Sequence, residues 1–96
     1  MNVADLIREK RQLIMEIAGR HGAKNVRIFG SVARGESTDE SDVDFLIEVE
    51  GPTSPWFPGG LVADLEALLG CRVDVVTERG LKKRIREYIL REAVPL

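Results

Sequence analysis

From Asp42 to Val49 the chain alternates in a way that leaves few folds open. Val43, Phe45, Ile47 and Val49 fall on one side of an extended backbone, and Asp42, Asp44, Leu46 and Glu48 fall on the other. This is a strand with an acidic start and one apolar face. Such a strand needs neighbours for its backbone and a second layer to cover that face.

The flanking segments supply both. Leu6, Ile7, Ile14, Ile17 and Ala18 share one helical face over residues 3–20, with Lys10 as a gap, and Gly19 and Gly22 around His21 end the run. Val26 to Phe29 reads as a short strand closed by Gly30. Ser31 to Arg34 reads as one helical turn, and Gly35 to Ser41 as a polar surface loop. Residues 50–60 are turn-forming, with Pro52, Pro55, Pro58 and three glycines. Leu61, Val62, Leu65, Leu68 and Leu69 stripe a helix ended by Gly70, and Cys71 to Thr77 form a third strand. Leu81, Ile85, Tyr88, Ile89 and Ala93 stripe a last helix, stopped near Pro95. The order α-β-β-α-β-α, with a helical turn after the first strand, predicts an α/β fold: a short mixed three-stranded sheet flanked by helices. Residues 1–96 read as a single domain.

The 44% of hydrophobic residues is enough for one core and excludes a disordered segment. A net charge of -2 argues against a general nucleic-acid coat, and no direct nucleic-acid binding is expected. The charge is unevenly spread. Residues 36–50 hold seven acids (Glu36, Asp39, Glu40, Asp42, Asp44, Glu48, Glu50) and no base, whereas residues 79–96 hold six bases against two acids. Cys71 is the only cysteine, so neither an internal disulfide nor a thiolate metal cluster is available. No secretory signal and no membrane-spanning run appear, which fits a cytoplasmic protein.

The chemistry-bearing residues lie in Gly30-Ser31-Val32-Ala33-Arg34-Gly35 and Asp42-Val43-Asp44. Aspartates at i and i+2 of a strand project from the same face, where they repel unless a cation sits between them. Hard carboxylate oxygens suit Mg²⁺ or Mn²⁺. Asp74, a charge among Arg72-Val73-Asp74-Val75-Val76, would supply a third carboxylate if its strand lies beside the second. Three such groups can hold two metals. Gly30 lets a phosphate approach the backbone, Ser31 and the free N–H groups of the next turn donate, and Arg34 adds charge-assisted bonds.

Gly30-Ser31, ten residues, then Asp42-Val43-Asp44 resembles the signature of the DNA polymerase beta-type nucleotidyltransferase superfamily. Arg27 to Val49, Val73-Asp74-Val75-Val76-Thr77 and Glu92-Ala93-Val94-Pro95-Leu96 resemble the minimal nucleotidyltransferases (MNT), the antitoxin partners of HEPN toxins. The resemblance implies the minimal nucleotidyltransferase fold and catalysis with two Mg²⁺ ions, Mn²⁺ being the substitute. Asp42 and Asp44 would hold both metals, Asp74 would complete the catalytic site, and Gly30, Ser31 and Arg34 would bind the nucleotide. It further implies an antitoxin that transfers AMP from ATP to a tyrosine hydroxyl of a cognate HEPN RNase toxin. Two other readings stand beside it: action on a small molecule or RNA end with a partner subunit, and a silent antitoxin that neutralises by occlusion. A glycosyltransferase also uses Asp-x-Asp but leaves Gly30-Ser31 without an account.

Milder roles attach to the remaining residues. Asp42 and Asp44 alone read as surface acids, and Asp74 as a charge that protects a sheet edge. Ser31 can cap its turn, and Arg34 can be an exposed ion-pairing residue. His21 reads as a helix-end histidine satisfied by the dipole, Cys71 as a small packed residue, and Tyr88 as core. Trp56 and Phe57 either fold over the core or offer an aromatic contact to a partner or to the base. Lys82 to Arg86 read as a solvated face, or as a surface for an acidic toxin or the triphosphate.

Overall fold

A computed structural model describes residues 2–38 and 42–96. Asp39, Glu40 and Ser41, the end of the polar loop and part of the acidic run, lie outside the described residues, as does Met1. The segment expected as one helix is two, α1 (Val3–Glu9) and α2 (Arg11–Arg20). The break falls on Lys10, the gap in the apolar stripe, whose φ of -98° and ψ of 14° leave the helical region. Asn2 caps α1, its side chain accepting from the Asp5 N–H at 2.8 Å.

After α2 come β1 (Ala23–Phe29), the turn α3 (Ser31–Arg34), β2 (Val43–Val49), α4 (Gly59–Leu69) and β3 (Val73–Thr77). A 3₁₀ turn (Glu78–Gly80), α5 (Lys83–Glu92) and β4 (Val94–Pro95) complete the order. The sheet is mixed, as expected, but has four strands in the order β3-β2-β1-β4. β1 pairs antiparallel with β2 and β4, and β2 pairs parallel with β3 through the α4 crossover. β4 was not legible: two residues carry no period, and proline enters a sheet only where its missing N–H does no harm, as at this edge.

One face of the sheet meets α1, α2 and α4. Ile7, Ile14, Ile17, Leu61, Leu65 and Leu69 pack there against Val26, Val43, Phe45, Ile47 and Val73. The other face carries Arg27, Phe29, Asp44, Leu46, Glu48, Asp74 and Val76 and is crossed by α5. Leu46 is fully buried on that face, and Ile89 is the buried residue of α5. Tyr88, expected in the core, is 63% exposed, and Ile85 is exposed with it. The reason is what lies opposite: charges flank the narrow apolar strip of Phe29, Leu46 and Val76, which leaves α5 room to bury Ile89 but not its whole apolar side.

β1 holds an extra residue between Lys24 and Arg27, where the register against β2 shifts. Asn25 takes the left-handed conformation there (φ 49°) and its amide donates to Glu48 Oε1 at 2.7 Å. This bulge sets Phe29 opposite Asp44. Without it the end of β1 would face Val43 and Asp42 instead. Among the described residues no helix is long and apolar enough to cross a membrane.

Candidate active site

The site lies where β1 ends and β2 and β3 begin. Asp44 and Asp74 are direct register partners across the parallel β2–β3 pair, so their side chains leave the same face of the sheet. Asp42 precedes β2 by one residue; it is exposed and lies 4.0 Å from Arg72 Nε, a weak surface pairing. The Asp44 carboxyl is held above its ordinary range, first by burial, then by the neighbouring charges of Asp74, Asp42 and Glu92. Each of these causes penalises the anion, and a cation among the carboxylates would relieve the last three.

Gly30 closes β1 with φ 76° and ψ -155°, a conformation open essentially to glycine. A Cβ placed there would stand 2.2 Å from Asp44 Oδ2. The glycine is therefore required both by its backbone and by the carboxylate against it. It also occupies the position before α3, so Ser31 is the first helical residue and does not cap the turn. The Arg34 N–H donates to the Gly30 carbonyl at 3.1 Å. The N–H groups of Ser31, Val32 and Ala33 precede that first bond and have no carbonyl within the turn to satisfy them.

Arg34 donates from Nε to Glu36 Oε2 at 3.0 Å and from Nη1 to Glu92 Oε1. Glu92 Oε2 accepts from the Gly30 N–H at 3.2 Å. The bonds to Glu92 and Glu36, that to Glu92 above all, raise the affinity of the Arg34 guanidinium for its proton. Arg34 is thus an ion-pairing residue and also stands beside the Gly30-Ser31 turn. Glu92 was not singled out in the sequence. A signal was present, since an acid in the last turn of a helix sits against the unfavourable end of the dipole and calls for a partner elsewhere.

Among the described residues no three His, Cys, Asp or Glu side chains form a closed group able to hold a metal. The structure gives an Asp44–Asp74 pair in register with Asp42 one step away. Their all-oxygen chemistry and mutual repulsion fit a hard divalent cation, which would draw the three together. A hollow of about 330 Å³ lies at the opposite end of the sheet, lined by Lys24, Glu48, Thr77, Glu78 and Arg86. Glu78 pairs there with Arg86 and with Arg27, and the hollow is remote from the carboxylates.

Trp56 is 91% exposed and Phe57 packs on the core, which separates their fates. Their loop follows the far end of β2. The five residue steps from Asp44 to Val49 span about 17 Å, so this loop leaves the sheet at the end away from the acids. His21 ends α2 and joins two segments, its Nδ1 2.5 Å from Ser54 Oγ and its Nε2 2.7 Å from Asp64 Oδ2. Cys71 is half-buried against the core, and burial pushes its thiol pKa up.

A mixed sheet with an acidic pair in register at two strand starts, beside a glycine-serine turn, is the frame of a nucleotidyl-transferring enzyme. The comparisons agree. The nucleotidyltransferase domain family matches residues 10–96, and the chain belongs to that family. Its members are transferases that generally depend on divalent metal. The chain is 43% identical over 79 residues to the protein adenylyltransferase MntA of Thermococcus cleftensis, covering 82% of this chain and 80% of that protein. It is also similar to a solved structure described as a minimal nucleotidyltransferase, with 47% identity, a TM-score of 0.87 and coverage of 100% and 97%. A toxin-antitoxin structure with AMP-PNP shares the fold at 17% identity, with a TM-score of 0.75 over 88% of this chain and 69% of that one.

Proposed function

We propose that this protein is an antitoxin that transfers AMP from ATP to a tyrosine hydroxyl of a cognate HEPN toxin. The observation that carries the reading is the register of Asp44 with Asp74, with Gly30 pressed against Asp44. Carboxylates that can hold a cation beside a turn with N–H donors are an arrangement that suits phosphoryl transfer, which supports this reading. The likeness to a protein adenylyltransferase supports a protein acceptor. The fold shared with a toxin-antitoxin structure holding AMP-PNP supports ATP and a toxin partner.

Asp42, Asp44 and Asp74 would hold Mg²⁺, two ions in the proposed form, or Mn²⁺ in its place. Bound there, the metal supplies charge for the α-phosphate and for the departing pyrophosphate. Ser31 and the open N–H groups of α3 hold the β- and γ-phosphates, with Arg34 at their edge. The acceptor oxygen attacks the α-phosphorus. Its new bond to phosphorus replaces the bond to the bridging oxygen, pyrophosphate leaves, and Asp74 takes the hydroxyl proton. Asp74 suits that role because it is exposed at the start of an edge strand, where an acceptor can reach it.

The test mixes the protein with ATP, Mg²⁺ and the protein encoded by the neighbouring gene, then weighs both chains. Addition of AMP to a tyrosine of the neighbour, lost in Asp42→Asn and Asp44→Asn, is the expected result. A stable complex with unchanged masses would replace transfer by occlusion. Modification that persists in both variants would overturn the metal assignment.

A further inference from the structure

The phosphate turn is held from outside by a residue of α5. β4 pairs with β1 antiparallel, with Arg27 opposite Pro95 and Ile28 opposite Val94. Extended by two residues, the same register sets Glu92 opposite Gly30. Its carboxylate is 12% exposed and uses both oxygens, one on the Gly30 N–H at 3.2 Å and one on Arg34 Nη1. A nearly buried carboxylate at the wrong end of a helix dipole, beside the acids of the site, is costly by itself. The two bonds account for it.

They also leave the right groups free. A guanidinium has five N–H donors. Arg34 spends one on Glu92 and one on the exposed Glu36. Among the described residues its other three N–H donors have no partner.

We propose that Glu92 is the positioning residue of the triphosphate turn. It fixes Gly30 in its glycine-only conformation and holds Arg34 so that the remaining donors face the β- and γ-phosphates. This rests on the reading of Gly30, Ser31 and Arg34 as the phosphate cradle. Glu36 also touches Arg34 but is largely exposed, so its hold is weak. β4 serves the same end: a two-residue pairing, otherwise too short to matter, sets the register that delivers Glu92.

The test is direct titration of Mg²⁺-ATP into the wild type, Glu92→Gln, Arg34→Gln, the double variant and Glu36→Gln, with no acceptor present. Glu92→Gln keeps the shape but puts an NH₂ group against one of two donors. It should weaken ATP binding about 10–100-fold, the scale for residues that orient a ligand's direct partners. AMP, which lacks the outer phosphates, should bind as to the wild type. The double variant should bind ATP more weakly than Arg34→Gln, but by less than Glu92→Gln loses alone, since part of the Glu92 effect runs through Arg34. Glu36→Gln should change little. A merely structural role would weaken AMP and ATP alike, and that result overturns the proposal. So does unchanged ATP binding, or losses that multiply in the double variant. Tighter binding by Glu92→Gln would show that the carboxylate competes with phosphate, and would also overturn it. If Arg34→Gln weakens ATP and Glu92→Gln does not, only this inference fails. If the wild type binds no ATP, the cradle itself fails and takes the inference with it. Should Glu92→Gln not fold, Glu92→Asp replaces it, with the same expected loss and the same refuting outcomes.

Discussion

Gly30→Ala tests whether the end of β1 is shaped for the acids beside it. The substitution has two separable effects. The backbone there (φ 76°, ψ -155°) is a region that costs an L-residue about 1–3 kcal/mol. In a domain of this size each kcal/mol lowers the melting temperature by roughly 4–8 °C. A fall of about 5–20 °C follows. The second effect is local. The new Cβ would lie 2.2 Å from Asp44 Oδ2 and 3.2 Å from its Cγ. The carboxylate is the free end of its side chain, so it rotates away and the strand stays. A displacement of about 1 Å in a reacting array costs on the order of 100-fold in rate. Gly35→Ala is the control. Gly35 also has positive φ (75°), but a Cβ there meets nothing within 4 Å. It should lose about 1–2 kcal/mol of stability and keep its activity when folded. The assays are thermal unfolding by circular dichroism and transfer of labelled AMP at a temperature where all three proteins are folded. Full activity in Gly30→Ala would refute the reasoning, as would equal activity losses in the two variants.

Asp44→Asn should abolish transfer yet raise the melting temperature in EDTA. The wild-type carboxyl pKa is raised by burial and by its acidic neighbours. Its ionisation therefore opposes folding at neutral pH, and the difference should close below the ordinary aspartate range. The gain, up to about 1 kcal/mol for relieving a like-charged pair across strands, would be contradicted by an unchanged or lower melt. Glu78 behaves in the opposite sense. It is held below the ordinary glutamate range chiefly by the hydrogen bond from Arg27, against an opposing burial effect, with Arg86 adding to it. Its contribution is present above that range and lost as pH falls through the lowered value. Glu78→Gln should cost about 1–3 kcal/mol at pH 7, because it strips the anion from a nearly buried Arg27, and nothing in strong acid. A pH-independent difference in urea midpoints would contradict this. Trp56→Ala should leave ATP affinity unchanged and stability within about 0.5 kcal/mol, since the side chain touches solvent. A weakened ATP titration would place the loop nearer the site than its position after β2 allows.

What the sequence disclosed follows from the range of each interaction. The alternation of Val43 to Val49 and the i, i+2 spacing of Asp42 and Asp44 are local, and both were legible. The facing of Asp74 was not, because it depends on the parallel register that α4 delivers between β2 and β3. The bulge at Asn25 shows the same limit. It decides which acid faces the end of β1, yet a single asparagine in a strand does not announce a register shift. Tyr88 was misplaced for a related reason. Periodicity identifies the apolar side of α5, but only the opposing surface decides whether that side is covered, and here charges flank a narrow apolar strip.

The charged face also explains why fold and site are held by different forces. On the core side, Ile14, Leu61 and Leu65 are almost wholly buried against Val43, Phe45 and Ile47, and burial of that kind supplies most of a small domain's stability. On the other side the proposed site requires Asp44 and Asp74 to stay open to metal and substrate, so an apolar helix cannot seal it. α5 crosses there with Ile89 as its buried anchor and is tied near both ends by charges: Arg86 to Glu78, which also binds Arg27, and Glu92 to Arg34 and Gly30. Ion pairs of this kind impose direction, and the partly buried ones are costly to break once formed. The helix can therefore set the geometry of the Gly30-Ser31 turn without covering the acids, and the apolar residues it leaves exposed, Ile85 and Tyr88, are the consequence of that arrangement.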